Sequence, residues 1–168
     1  GGLGITYCLD EIRTLEDLGR SLDNLGVMTG ESTIAEQVLA TLQDAIENHA
    51  DRQNTQRPSV FLQLWDRPLQ SVGAQHLLTD VIDRCGGHSI TADVPGLAPR
   101  IEIETVLAAD PDIIIVESPA QARHWQRFPD LSALHFARVH AINPDLMHRP
   151  TLRLLEGMET ICELIDDA

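Results

Sequence analysis

Residues 60–69 read VFLQLWDRPL. The stretch opens as an apolar run, as a central β-strand does, and closes on Trp65, Asp66, Arg67 and Pro68. Proline has no N–H to give to a ladder, so the strand has to stop before it. One of the chain's two tryptophans therefore stands where a buried strand ends. Two readings of Trp65 stay open on these residues alone. It seals the end of a sheet, or it offers a flat apolar surface on which a ligand stacks.

Working outward, residues 59–64 are followed by strand and helix patterns in alternation. Ala74, Leu77, Leu78, Val81, Ile82 and Cys85 fall at helical spacing, and Gly86 and Gly87 stop that helix. Residues 88–91 read as a short strand and residues 92–100, ADVPGLAPR, as an irregular loop. A short helix over residues 104–109 ends at Asp110 and Pro111. Residues 112–116, DIIIV, are a strand buried on both faces, and Ser118 with Pro119 caps the helix after it. Residues 138–142 predict another strand and residues 150–166 a final helix, with Leu154, Leu155, Met158, Ile161, Cys162 and Ile165 on one face. Apolar strands alternating with helices imply a mainly parallel sheet covered on both sides, a three-layer α/β lobe over residues 58–168.

Upstream, residues 5–9 predict a short strand. Thr14 with Asp17 forms a capping box ahead of Leu15, Leu18, Leu22 and Leu25. A second capping box, Thr33 with Glu36, opens a long helix to about residue 49, and the polar residues 50–59 read as a linker. The strand at residue 5 has nothing before it to pair with, so the chain is expected to be a fragment.

The 168 residues carry a formal net charge of −14, which excludes the basic surface that nucleic acid requires. No run of 18 apolar residues predicts a transmembrane helix, and residues 1–12 have no signal-peptide pattern. Cys8, Cys85 and Cys162 form no CxxC motif, and the seven histidines are scattered, so no metal site is expected. Cys85 and Cys162 each lie on the apolar stripe of a helix and are either two buried thiols or a disulfide. There is no GxSxG elbow, phosphate loop or HExxH. In an open α/β sheet ligands sit beyond the carboxyl ends of the strands. Trp65, then Glu117 with Ser118, then residues 145–149, and the loop 92–101 should share that rim. Arg149 either pairs with the acidic surface or meets a ligand. Glu104 sits in a first helical turn, where a carboxylate favours the helix dipole.

The order of motifs resembles a known family. Residues 76–90 (HLLTDVIDRCGGHSI), 97–119 (LAPRIEIETVLAADPDIIIVESP) and 131–165, which contain HRPTLR, are similar to the C-terminal lobe of class III periplasmic substrate-binding proteins of ABC importers. Residues 14–46 resemble the segment that closes the N-terminal lobe and forms the helix between lobes. The resemblance implies three parts: residues 1–30 as a remnant of the N-terminal lobe, 31–57 as the inter-lobe helix and linker, and 58–168 as the C-terminal lobe. Within the family the chain looks most like the cobalamin-binding branch. That likeness implies a Cys85–Cys162 disulfide, ligand contacts from Trp65, Pro68 and Arg149, and docking of Glu104 onto basic residues of an inner-membrane permease. Leu97 and Ala98 stand where the branch can place an aromatic, and neither is one.

The implied function is non-enzymatic. The protein captures cobalamin or a related corrinoid between lobes in the periplasm and delivers it to an ABC permease, with no cofactor of its own. Ferric siderophore or haem is the alternative cargo. A cytosolic α/β enzyme and a ligand-free interaction domain are the alternatives of another class. A single wall of a cleft should bind weakly, and its uncovered face could pair with a second copy.

Overall fold

The computed structural model describes residues 11–50 and 57–168. The strand expected over residues 5–9, Cys8, and most of the expected linker lie outside the described residues. Helix α1 (Leu15–Thr29) starts at the expected capping box. Thr14 Oγ1 accepts the Asp17 N–H at 3.1 Å, and Asp17 Oδ2 accepts the Thr14 N–H at 3.0 Å. Helix α2 (Ser32–Ala50) starts before Thr33, so Thr33 is inside the helix and the second capping box is not formed. The Glu31 carbonyl instead accepts from Ile34 and Ala35.

Strand β1 (Ser59–Asp66) runs two residues beyond the expected end because Leu69 and Gln70 give Asp66 and Trp65 a partner. That partner is β2 (Leu69–Ser71), joined to β1 by a tight turn with a cis Arg67–Pro68 peptide. There follow α3 (Leu77–Arg84), β3 (His88–Ser89), α4 (Ile103–Ala109), β4 (Ile113–Val116), α5 (Pro119–Trp125), α6 (Ser132–His135), β5 (Val139–Ala141), a 3-10 turn (Pro144–Leu146) and α7 (Arg153–Asp166). The last helix starts three residues later than proline placement suggests, because residues 151 and 152 form a bend and a turn.

The sheet runs β2-β1-β4-β5, with β3 beside the start of β1. β1 pairs in parallel with β3 and β4, and β4 with β5; only β2 is antiparallel. The expected three layers are present. Val60, Leu62, Ile113 and Ile115 face one core, which takes in Leu78 and Ile82 of α3, Leu154 and Ile161 of α7, and Leu15, Leu18 and Leu42 of the α1–α2 hairpin. Phe61, Ile114 and Val116 face the other, with Val106 of α4, Trp125 of α5 and Ala133 of α6. Strand alternation sends successive residues to opposite faces, so an unbroken apolar run fills both.

Among the described residues, buried side-chain polar atoms in this lobe are paired except Glu117 Oε1, as burial favours. The tryptophan that builds the core is Trp125, 1% exposed, whose Nε1–H donates to Gln63 Oε1 at 2.8 Å. Where β2 and β3 meet, a hydroxyl cluster bridges the seam: Ser71 Oγ donates to the Leu62 carbonyl, Thr91 Oγ1 to the Val72 carbonyl, and Thr91 Oγ1 contacts Ser71 and Ser89. Cys85, at the end of α3, and Cys162 of α7 form a disulfide with a Cα–Cα distance of 4.7 Å. Asp80 of α3 accepts the Leu15 N–H at 2.9 Å, which fixes the start of α1 against the lobe.

Candidate functional site

Because β1, β3, β4 and β5 are parallel, their carboxyl ends share one rim. Trp65 lies at the end of β1, beyond a register shift that follows Gln63. It is 59% exposed, so it does not seal the sheet. Pro68, in the adjoining turn, is also exposed. The loop after β3 folds back along β2, with the Ser71 N–H donating to Pro99, Gly73 to Leu97 and Ile101 to Leu69. This holds Leu97 on the same rim, 54% exposed. The close approach needs glycine at 73, where a Cβ would lie 2.3 Å from the Gly96 carbonyl oxygen.

A second loop, residues 143–152, leaves β5 and carries His148 and Arg149. Its seat is Gly157 of α7, where a Cβ would lie 2.5 Å from the Leu146 carbonyl oxygen. Arg149 is exposed and has no carboxylate partner among the described residues, so the expected alternative of a salt bridge is not realised there. His148 Nε2 lies 2.6 Å from Glu117 Oε1, at an angle that leaves this buried oxygen without a hydrogen bond. Glu117 follows β4, and its N–H donates to Gln121 Oε1. Burial raises the Glu117 pKa, and the neighbouring His148 opposes that rise.

The structure thus brings Leu97, Glu117 and the loop of Arg149 to one place. A cavity of about 220 Å³ there is lined by Ile12, His76, Leu97, Ala98 and His148, among others. Trp65 and Pro68 stand on the open surface at the end of β1. Glu104 is exposed in the first turn of α4. Sequence reasoning placed residues 145–149, and with them His148, on the rim, but it missed His76, which is brought there by tertiary structure alone. No group of three or more His, Cys, Asp or Glu side chains among the described residues is placed to hold a metal ion. No helix among them is long and apolar enough to cross a membrane.

The chain belongs to the periplasmic binding protein family, whose model matches residues 6–135. It is 27% identical over 166 residues, 95% of this chain, to the vitamin B12-binding protein of Vibrio cholerae serotype O1, and 27% identical over 168 residues to that of Photorhabdus laumondii. It spans 59% and 60% of their lengths, respectively. Among solved structures, the periplasmic vitamin B12 binding protein of Vibrio cholerae superposes with a TM-score of 0.86 at 27% identity, covering 98% of this chain and 66% of that one. A periplasmic haem binding protein of the same organism superposes at 0.81 with 16% identity, covering 94% of this chain and 66% of that one, a likeness of fold alone.

Proposed function

We propose that this chain is the ligand-facing part of an importer's substrate-binding protein, and that its cargo is cobalamin or a related corrinoid. The observation that carries the reading is Trp65. A tryptophan left 59% exposed at the carboxyl rim of an α/β sheet is a surface waiting for a flat apolar partner. The similarity to vitamin B12-binding proteins along nearly the whole chain supports a corrinoid as that partner. Pro68 and Leu97 extend the apolar wall, and Arg149 supplies a cation with no carboxylate partner among the described residues. The module binds and releases; it makes and breaks no bond. The Cys85–Cys162 disulfide fits the oxidising periplasm that the reading requires.

In this reading residues 1–30 are the end of an N-terminal lobe and α2 joins the lobes. Glu104 then docks onto basic residues of an ABC permease. Replacing Glu104 by Lys should leave corrinoid affinity unchanged and lower ATP-driven uptake in a reconstituted system at least fivefold; unchanged uptake removes the docking role. Haem and ferric siderophores are the competing cargoes, and the absorbance of the purified, loaded protein separates all three. A corrinoid spectrum is expected, and a Soret band contradicts the proposal.

A further inference from the structure

We propose that His76 is a specificity-determining donor, presenting its Nε2–H to a carbonyl oxygen on the periphery of the ligand. The inference rests on the corrinoid reading and deepens it. His76 occupies the N-cap of α3, where its Nδ1 accepts the Leu78 N–H at 3.1 Å. A ring nitrogen that accepts cannot also hold the proton, so the ring is the neutral tautomer with its hydrogen on Nε2. Among the described residues nothing accepts that hydrogen. Nor is Nε2 a sealed, unpaired atom: the one such side-chain atom among the described residues is Glu117 Oε1. Nε2 is therefore not sealed from the space around it.

That space is built for a small polar tip on an apolar group. His76 lines the cavity of about 220 Å³ beside Leu97 and His148, and also a neighbouring one of about 410 Å³ that runs past Arg13 and Asp80. In the smaller cavity Ile12, Leu77, Leu97, Ala98, Met147 and Pro150 are apolar. The remaining polar lining group, His148, places its Nε2 2.6 Å from Glu117 Oε1. The His76 Nε2–H is a donor without an acceptor among the described residues, held by a helix start and unable to turn without giving up its cap. Burial pushes the His76 pKa down to about 4 and the nearby His148 adds to this, so the ring stays neutral through the physiological range. A donor of this kind suits an amide carbonyl, such as those fringing a corrin ring, and discriminates against ligands whose periphery carries no acceptor there.

The test separates the cap from the donor. Asparagine caps a helix as well as the residues most favoured there but does not reach the Nε2 position; alanine does neither. Cyanocobalamin is titrated calorimetrically into wild type, His76→Asn and His76→Ala, and each melting temperature is measured. The expected result is a melting temperature restored in His76→Asn with affinity still about tenfold weaker than wild type. Restoration of both by asparagine makes His76 a cap only and overturns the inference while leaving the corrinoid reading intact. Failure of wild type to bind any corrinoid overturns both.

Discussion

Replacing Trp65 by Ala should weaken corrinoid binding about 30-fold while leaving the fold untouched. Trp65 is 59% exposed. An aromatic of its size has up to about 250 Å² to bury, so about 150 Å² is available to a ligand. Covering all of it would contribute about 3.7 kcal/mol at about 25 cal/mol per Å². A planar ligand covers one ring face, which halves this to about 2 kcal/mol, or about 30-fold in affinity. The same exposure means the side chain contributes little to the core, and the unfolding free energy should change by less than about 0.5 kcal/mol. Calorimetric titration with cyanocobalamin and urea unfolding followed by circular dichroism measure the two quantities. Affinity within threefold of wild type refutes the stacking role. A loss of stability of about 2 kcal/mol or more also refutes it, because it would mean that Trp65 seals the sheet end.

Two further outcomes are expected. Removing the Cys85–Cys162 bridge with paired serine substitutions should destabilise the lobe by about 2–4 kcal/mol, since the bridge closes a separation of 77 residues; urea unfolding with no loss contradicts this. Stability should also fall as pH drops from about 6.5 to 4. His76, lowered by burial and by His148, and His140, lowered by burial and by Arg138, both take up protons less readily in the folded chain than in the unfolded one, so their stabilising effect is complete above about 6.5 and is lost toward the folded value. Glu117 acts in the opposite sense, because burial raises its pKa and protonation at low pH relieves the folded state. The fall of the His76 pKa to about 4 should dominate the profile, and His76→Asn should flatten it. An unchanged profile in that variant contradicts the assignment.

What the sequence made legible follows from how local each signal is. The Thr14–Asp17 box, the IIIV run of β4 and the Ser118–Pro119 cap are written within a few residues, and each stands where expected. Strand β2 has three residues and no alternation to announce it; it exists because β1 gives it a partner. Trp125 looked unremarkable among His124, Gln126 and Arg127, since its hydrogen-bond partner Gln63 is 62 residues away. Histidine is not among the residues that usually cap helices, so the start of α3 at His76 gave no signal. The rim was legible because parallel strand ends must share a side. The cavity was not, because it is assembled from Ile12, His76, Leu97 and His148 on four separate segments.

The central claim is that the carboxyl rim of this lobe receives a corrinoid. Its most direct test is a side-by-side calorimetric titration of the chain with cyanocobalamin, haemin and a ferric hydroxamate siderophore. Saturable binding of one cyanocobalamin per chain, tighter than either iron ligand by at least tenfold, is the predicted result. Saturable binding of haemin or siderophore with none of cyanocobalamin would contradict it.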